Sequence, residues 1–404
     1  MDRVVIVMPS YNERENITQM IPALFEKEFP KITNADMHLL IVDDKSPDGT
    51  GQIVKDAMKK YKNLHLLEGE KGGLGWAYIR GFKYAVKELG ADAVMEMDAD
   101  FQHPPRFVKP MVDAYVAGAD YVIGSRYIPG GSVPKEWAFS RRFISWAGNL
   151  FIRLVLLKPS LHDLTTGFRL TRVKGVLDKI DLDHIRELKR FAYKVDLLYQ
   201  SIKNSKKTVE VPLEFAPRTQ EVSKFNPKEM IATFKLAILL GILDKQRFIK
   251  FAIVGFVGFI VNAIGIEFFR RTSITINLAN ASSGLQNIWG LSIFAEPSSW
   301  AAALGAELAI ISNFLFNNFW TFKEKRITNI GDGISKFLLF NFTSLGAIVI
   351  QFIVIGTAVT LFGDVALVRQ ISLIIAIGFL IIPYNYAMYN LFIWKTWKMG
   401  RKKI

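Results

Sequence analysis

The sequence predicts two domains: an α/β domain with a mainly parallel sheet, followed by an all-α membrane domain. The chain has 404 residues, which is long for one ordinary domain and short for three. In the first half, short apolar runs alternate with stretches of helical periodicity, which is typical of βαβ units. From about Phe248 onward, long apolar stretches replace this alternation. The predicted boundaries are 1–226 for the α/β domain, 227–246 for a linking helix and 247–404 for the membrane domain.

The apolar runs at 4–8, 38–42, 64–67, 93–97 and 121–123 are the predicted strands, and 16–29, 50–60 and 73–89 are predicted helices. Two further segments, 137–157 and 227–243, place large apolar side chains at helical spacing beside basic residues. Both are predicted to lie in a membrane interface. Ordinary amphipathic helices packed on the sheet are the alternative.

Four membrane spans are predicted at 247–269, 298–322, 334–362 and 366–394, since a span needs about 20 apolar residues. Basic residues cluster between the second and third spans and in the C-terminal tail, although Arg270 and Arg271 oppose this bias. The positive-inside rule therefore predicts an integral membrane protein with both termini and the α/β domain in the cytoplasm. The start of the chain lacks the long apolar core of a signal peptide.

The formal net charge of +14 has a membrane explanation, because many C-terminal lysines and arginines flank the apolar segments. That placement favours anionic lipid headgroups as partners and argues against nucleic acid. The chain contains no cysteine, which excludes disulfides, thiolate nucleophiles and cysteine-ligated metals. Chemistry must come from carboxylates, cations, hydroxyls and a hard metal ion.

Carboxylates follow the fourth predicted strand as Asp98-Ala99-Asp100. Ligands of parallel sheets bind at the C-terminal ends of the strands. Two carboxylates at that position can hold Mg²⁺ or Mn²⁺ together with a diphosphate, and Gln102 can complete the ligand set. His103 is interpreted as a neighbour of this site. A solvated acidic turn is the alternative.

A second cluster follows the first two strands, with Pro9, Tyr11 and Glu13 after one, and Val42 and Asp44 after the other. An aromatic ring and carboxylates there can stack on a base and bind ribose hydroxyls. Helix capping or a plain turn is the alternative.

Five motifs in order resemble the dolichyl-phosphate mannose synthases of glycosyltransferase family 2. They are Pro9-Ser10-Tyr11-Asn12-Glu13, Asp43-Asp44-Lys45-Ser46-Pro47-Asp48-Gly49, Gly73-Leu74-Gly75, Asp98-Ala99-Asp100 with Gln102-His103-Pro104, and Gly124-Ser125-Arg126-Tyr127. The resemblance runs through most of residues 1–226. It implies a GT-A fold, a GDP-mannose donor, a divalent metal and a dolichyl or other polyprenyl phosphate acceptor.

The resemblance also implies roles for single residues. The implied nucleotide-binding set is Pro9, Tyr11, Glu13, Val42, Asp44, Asp98, Ala99, Asp100, Gln102, Arg126, Arg218 and Lys224, of which Asp98, Asp100 and Gln102 hold the metal. Asp100, Arg126, Arg218 and Lys224 form the implied catalytic set, with Arg218 and Lys224 in a mobile loop that binds the diphosphate. Arg126, Arg141 and Ser145 are the implied ligands of the acceptor phosphate. The stretch from Asp163 to Arg169 matches a loop that borders the sugar.

The second half resembles GtrA-like four-helix domains, most clearly in Asn313 to Phe322. Its asparagines are expected to hydrogen-bond between helices. Membrane anchoring and homodimer packing are the expected roles, and Glu267 and Glu307 are candidate functional acids.

The expected reaction is one displacement with inversion, which needs no strong general base because the acceptor phosphate is already anionic. Three alternatives stay open. The first is a UDP-glucose or other UDP-sugar donor. The second is a processive polysaccharide synthase, although the chain lacks Gln-x-x-Arg-Trp. The third is a membrane half that translocates lipid-linked sugar or binds a partner.

Overall fold

The computed structural model describes residues 1–217, 227–289, 297–363 and 366–397. The chain divides into two compact units, Met1–Leu243 and Asp244–Ile404. Each unit has its own hydrophobic core.

A seven-stranded sheet forms the centre of the first unit. Its strands are β1 (Arg3–Ser10), β2 (Asp36–Asp43), β3 (Leu64–Glu68), β4 (Ala93–Glu96), β5 (Tyr121–Ser125), β6 (Arg169–Arg172) and β7 (Thr208–Pro212). Their order is β3-β2-β1-β4-β6-β5-β7. β6 runs antiparallel to β4 and β5, and the other neighbouring pairs are parallel. The predicted α/β domain with a mainly parallel sheet is confirmed.

Helices cover both faces of this sheet. They are α1 (Arg14–Pro22), α2 (Thr50–Met58), α3 (Leu74–Lys87), α4 (Val108–Val116), α5 (Phe139–Val155), α6 (Tyr193–Asn204) and the beginning of α7 (Pro227–Arg270). Alternate residues of β1 enter different cores: Ile6 packs with Ile17 on one face, and Val7 packs with Phe82 on the other. A strand buried on both faces reads as a continuous apolar run, which is why β1 is visible in the sequence.

The predicted helix at 16–29 changes its hydrogen bonding partway. α1 ends at Pro22, and Ala23–Glu28 continues as a wider π-helical turn. Proline has no N–H to donate and its ring crowds the preceding turn, so a regular helix is disfavoured there.

One face of α5 is buried and the other is exposed. Ile152 lies in a core shared with α6 and α7, whereas Phe139 is 76% exposed and Phe143 and Trp146 are also exposed. The beginning of α7 repeats this division, with Leu240 buried and Leu239 exposed. Exposed apolar faces of this kind suit a membrane interface.

The second unit is helical. It contains the rest of α7, then α8 (Ser273–Trp289), α9 (Pro297–Phe316), α10 (Ile330–Phe362), α11 (Ala366–Ile375) and α12 (Ile382–Met388). Within the described residues, two helical segments, Lys228–Arg270 and Ala376–Ile393, are long and apolar enough to cross a membrane. The count of four spans stays a prediction. α8 was not predicted as a separate helix.

Two polar features predicted for this unit, the asparagines and Glu267, differ in the contacts that they make. Asn318 accepts from the indole N–H of Trp394 at 3.1 Å, and Trp394 stacks on Phe322 at 4.3 Å between ring centroids. This contact confirms that an asparagine hydrogen-bonds between helical segments. Glu267 is exposed and pairs with Arg270 at 3.0 Å, which is an ordinary ion pair at a helix end.

Gly81 sets how closely α3 approaches the sheet. A Cβ atom added there would lie 2.4 Å from a methyl carbon of Val7 and 2.9 Å from one of Val42. Gly81→Ala should therefore destabilise the first unit by about 1–3 kcal/mol through overpacking. Thermal unfolding of the full-length protein in detergent would measure this as a lower midpoint.

Gly148→Ala is the matched control, because a Cβ atom there meets only Phe234 at an ordinary 3.5 Å. It should leave the midpoint unchanged or raise it slightly, because alanine stabilises a helix by about 0.5–1 kcal/mol relative to glycine. Equal effects of the two substitutions would show that the close contact at Gly81 does not limit α3 packing.

Candidate active site

Six chain segments meet at one edge of the sheet. Ser10 lies beside Asp43, Val7 beside Glu96, Arg169 opposite both Glu96 and Ile123, and Ser125 beside Pro212. The loops that follow β1, β2, β4, β5 and β7 therefore start at this edge, together with the loop that enters β6. The antiparallel direction of β6 brings the stretch after Asp163 to the same place as Asp98.

Hydrogen bonds join the loop after β1 to the loop after β2. The backbone N–H groups of Asn12, Glu13 and Arg14 donate to side chains of Ser46, Thr50 and Asp48, at 3.0, 3.2 and 3.0 Å. The side chains that accept from the N–H groups at the start of α1 therefore come from the second loop, and the N-cap residue Glu13 makes no side-chain capping hydrogen bond. The two predicted nucleoside-binding segments form one braced structure.

The nucleoside candidates in these loops differ in exposure. Tyr11 is 38% exposed, and the ammonium of Lys71 lies 3.4 Å from its ring centroid. Asp44 is buried and accepts from Arg80 at 2.7 Å. An exposed ring beside a buried, paired carboxylate offers one surface for a base and one fixed acceptor.

Three loops at this edge contain non-glycine residues with positive φ. They are Asn12 at 58°, Lys45 at 51° and Phe101 at 60°. Such conformations cost free energy and persist where the surrounding structure imposes them, commonly at functional sites. The sequence carries no glycine signal at these positions, so they could not be predicted.

Asp98 is held from two sides. Its Oδ1 accepts from the hydroxyl of Tyr78 at 2.8 Å, and its Oδ2 lies 3.4 Å from the ammonium of Lys194. Burial raises the pKa of Asp98, but the charge of Lys194 and the Tyr78 hydrogen bond outweigh that effect and hold the pKa below its usual range. Asp98 is therefore a fixed carboxylate at neutral pH.

His103 acts as a neutral support for the same loop. Its Nδ1 accepts the backbone N–H of Asp98 at 3.1 Å, so the proton of the neutral ring is on Nε2. Burial lowers the pKa of His103 to about 4. The interpretation of His103 as a neighbour agrees with this geometry.

Lys194 was not predicted from the sequence. It lies on α6 and is only 1% exposed. A Cβ atom on Gly167 would lie 2.1 Å from its ammonium nitrogen, so only glycine at 167 leaves room for the lysine. No local signal distinguishes Lys194 from the solvated lysines of an amphipathic helix. Asp196, two residues further on, pairs with Arg186 and belongs to the packing of α6.

Arg126 is already paired. Its guanidinium donates to both carboxylate oxygens of Asp163, at 2.6 and 2.8 Å, and to the hydroxyl of Thr165. Asp163 is fully buried. Burial raises the pKa of Asp163, and the guanidinium outweighs that effect and keeps it low. The pair is close to neutral in sum, so Arg126 fixes the loop at 163–167 more than it adds positive charge.

The helix α5 is tied to the same loops. Ser145 accepts from the hydroxyl of Tyr127 at 2.6 Å, which places this acceptor candidate beside Arg126. Arg141 lies over the ring of Trp137 at 3.8 Å. The structure thus brings Ser145 to the residues next to Arg126 and turns Arg141 toward Trp137, which precedes α5.

Phe215 connects the two halves of the site. His103 lies 5.6 Å from its ring, Trp137 lies 5.9 Å away, and the guanidinium of Arg126 lies 5.3 Å away. The next residue, Ala216, donates its N–H to the carbonyl of Gln102 at 3.1 Å. Arg218 and Lys224 lie outside the described residues.

The donor set suits a hard divalent cation that is shared with a substrate. Asp98 and Asp100 supply oxygens, and the loop is closed by the backbone N–H of Gln102 donating to Asp100 at 3.2 Å. No cluster of three or more histidine or acidic side chains able to hold a metal occurs within the described residues. Proteins commonly hold Mg²⁺ with one or two carboxylates together with the phosphate oxygens of a substrate, and Asp98 and Asp100 match the protein's part of such a site.

Two family models match the chain. "Glycosyl transferase family 2" matches residues 5–178, and "GtrA/DPMS, transmembrane domain" matches residues 250–394. The resemblance of both halves is confirmed. Among solved structures, the glucosyl-3-phosphoglycerate synthase of Mycobacterium tuberculosis has a TM-score of 0.41 and 16% identity over 60% of this chain and 79% of that one.

Three characterised proteins are similar in sequence. The polyprenol monophosphomannose synthase of Mycolicibacterium smegmatis is 38% identical over 61% of this chain and 90% of its own length. The undecaprenyl-phosphate mannosyltransferase of Micrococcus luteus is 39% identical over 55% of this chain and 88% of its own. The dolichol-phosphate mannosyltransferase of Pyrococcus furiosus is 32% identical over 87% of this chain and 89% of its own, so it spans both units. The chain therefore belongs to the dolichol-phosphate mannosyltransferases of glycosyltransferase family 2, with a GtrA/DPMS transmembrane domain in its second half.

Proposed function

We propose that the protein transfers mannose from GDP-mannose to a dolichyl or other polyprenyl phosphate at the cytoplasmic face of a membrane. The observation that carries this proposal is the meeting of Asp98-Ala99-Asp100 with Arg126 and Ser145 at one sheet edge. The three relatives are named for mannose transfer to polyprenyl lipids, and their names support the same assignment.

The nucleoside would lie on the braced loops after β1 and β2. Tyr11 would stack on the base, while Glu13 and Asp44 would accept from ribose or base donors, with Pro9 and Val42 beside them. The support is geometric: Tyr11 is partly exposed, Asp44 is fixed by Arg80, and the two loops share three hydrogen bonds.

Asp98, Asp100 and Gln102 would hold Mg²⁺ or Mn²⁺ with the diphosphate beside Ala99. The cation would neutralise charge on the leaving nucleoside diphosphate. Asp98 is braced by Tyr78 and Lys194, so its carboxylate is oriented before any substrate arrives. Arg218 and Lys224 are proposed as diphosphate ligands from the resemblance alone, since they lie outside the described residues.

The acceptor phosphate would approach from α5, where Arg141 and Ser145 are the proposed ligands. A phosphate monoester is anionic near neutral pH, so no residue has to remove a proton before attack. Arg126 would act here by fixing Asp163 and Thr165 around the sugar. One in-line displacement would invert the anomeric centre and give a β-linked mannosyl phosphate, and an α-linked product would contradict this.

The membrane domain would anchor the enzyme among lipids, with both termini in the cytoplasm, and would pack as a homodimer. The exposed aromatic face of α5 would then lie at the interface where a polyprenyl phosphate presents its head.

Transfer of radiolabelled mannose from GDP-mannose to a short dolichyl phosphate tests the proposal directly. With Mg²⁺ or Mn²⁺ the wild type should form labelled glycolipid, and Asp100→Ala should reduce the rate by about a hundredfold or more, because charge on the leaving group loses its stabilisation. Asp56→Ala is the matched control. Asp56 is an exposed residue of α2 that pairs with Lys59, so its substitution should leave the transfer rate unchanged.

Two outcomes would change the assignment. Labelled product from UDP-glucose without product from GDP-mannose would keep the site and replace the donor. Full activity of Asp100→Ala, or activity in excess chelator, would remove the metal from the proposal.

Tyr78→Phe tests whether the position of Asp98 matters. The substitution removes one hydroxyl that donates to Asp98 and keeps the buried ring. We expect kcat/KM for the nucleotide sugar to fall by about tenfold, which is the order of one hydrogen bond to a charged group. Steady-state kinetics beside Tyr84→Phe, a half-buried tyrosine on the same helix, would show whether the loss is specific. An unchanged kcat/KM for Tyr78→Phe would mean that Lys194 alone suffices.

A further inference from the structure

The membrane unit contains a half-open cavity of about 510 Å³ between α7, α9, α10 and α12, and the exposed Phe256 and Phe259 form part of its wall. That volume lies within the range of about 300–1,000 Å³ typical of small-molecule sites. Its walls are mostly aromatic and aliphatic. Four asparagines, Asn262, Asn313, Asn317 and Asn385, also line it, and none of the described lining residues is charged.

The side-chain carbonyl oxygens of these four asparagines are buried and accept no hydrogen bond within the described residues. Other asparagines of the same unit differ. Asn318 accepts from Trp394 and donates to the carbonyl of Ile327, and Asn390 donates to the carbonyl of Tyr386. Within the described residues, the cavity-lining asparagines therefore have unpaired carbonyl oxygens, whereas Asn318 and Asn390 are hydrogen-bonded. The hydroxyl of Thr321, which does not line the cavity, is also buried without a partner. An unpaired amide in an apolar medium costs free energy, which a ligand with matching groups would recover.

Glycines of α7 give this site its shape. A Cβ atom on Gly258 would lie 2.2 Å from the side-chain oxygen of Asn313, so a side chain there would displace that amide. Gly255 lines the cavity, and a Cβ atom there would meet no atom within 4 Å. One glycine seats an asparagine against α7, and the other leaves room beside it.

The lining selects a class of ligand. Each amide offers an acceptor oxygen and two N–H donors, which together match hydroxyl groups, since a hydroxyl both donates and accepts. Without a described cation in the wall, the cavity is poorly suited to a phosphate. Phe251, Phe340 and Tyr389 supply apolar surface for carbon atoms.

We propose that this cavity binds the uncharged, hydroxyl-bearing sugar head of a glycolipid. The mannose of the product in the proposed function is one source of such a sugar, with its phosphodiester left outside the cavity, and an uncharged membrane glycolipid made elsewhere is another. Only that first source rests on the proposed function.

Binding of radiolabelled decyl β-D-mannoside to the full-length protein tests this proposal. The protein would be placed in phosphatidylcholine nanodiscs, and partition into empty nanodiscs would be subtracted. We expect a saturable component, weakened by about tenfold or more when Asn313→Leu and Asn317→Leu are combined, because two amides lose their hydrogen bonds. Leucine branches at the same carbon as asparagine and carries no polar atom, so the substitution removes the amide and keeps the branched shape. Asn280→Leu on the exposed face of α8 is the matched control and should bind like the wild type.

A steric variant makes the test independent of the asparagines. Gly255→Leu should fill the cavity and abolish saturable binding without a backbone clash. Gly284→Leu is the control: it lies on α8, is equally free of neighbours within 4 Å, and should leave saturable binding unchanged. Thermal unfolding midpoints near that of the wild type would show that the variants are folded. Wild-type binding in both Gly255→Leu and the double asparagine variant would overturn the proposal.

Competitors that carry the same decyl group distinguish the two sources of the glycolipid. Competition by decyl β-D-mannoside and not by decyl β-D-glucoside would point to the mannosylated product, and equal competition by both would point to glycolipids in general. Equal competition by 1-decanol or decyl phosphate would overturn the proposal, as would the absence of saturable binding in the wild type. The assay contains no nucleotide sugar, so a failure of mannose transfer would leave its result unaffected.

Discussion

A buried lysine beside the first carboxylate of Asp98-Ala99-Asp100 is the contact on which the geometry of the catalytic unit depends. An ammonium that is 1% exposed must have a partner, because an unpaired buried charge is very costly. Asp98 is within 3.4 Å of Lys194, and Arg169 donates to the backbone carbonyl of Lys194 at 2.6 Å. The strand end of β4, the start of β6 and the first turn of α6 are thereby fixed to one another. Gly167 is constrained by the same contact, since a side chain there would occupy the position of the ammonium.

A second buried pair has a parallel function on the acceptor side. Arg126 and Asp163 neutralise each other while holding the loop that enters β6, and Asn149 of α5 donates to Thr165 in that loop at 3.0 Å. Both pairs are internal to the protein and need no group from a substrate. Charge that is oriented in advance needs no reorganisation when the diphosphate leaves, which is how a site without a strong general base can still accelerate transfer. In the proposed function, Arg126 and Lys194 would therefore act mainly by positioning, and the groups around Tyr11 and Asp100 would contact the substrate.

The sequence was informative where one local pattern decides the structure. β1 and β2 are buried on both faces and therefore read as apolar runs, and Asp98-Ala99-Asp100 stands out because it follows such a run. β6 was missed because Arg169–Arg172 is short and has an arginine at each end of a leucine-threonine pair, so it does not read as an apolar run. Lys194 was missed because a lysine on a helix is usually solvated. Its burial depends on β6 being antiparallel, which no local pattern shows. The pairing of Arg126 with Asp163 joins residues 37 positions apart and was likewise invisible. In the membrane unit, the motif around Asn313 indicated interhelical hydrogen bonds, but only the three-dimensional packing separates the bonded Asn318 from the cavity-lining asparagines.

Coupling between metal and nucleotide tests the central claim, that Asp98 and Asp100 hold a cation which a diphosphate completes. Electron paramagnetic resonance of free Mn²⁺ would measure its binding to the full-length protein with and without GDP, and GDP binding would be measured with and without Mn²⁺. We expect Mn²⁺ to increase the affinity for GDP, and GDP to increase the affinity for Mn²⁺, by the same factor of about tenfold or more. Asp100→Asn should abolish this coupling. Equal affinity for Mn²⁺ with and without GDP, or coupling that survives Asp100→Asn, would contradict the claim.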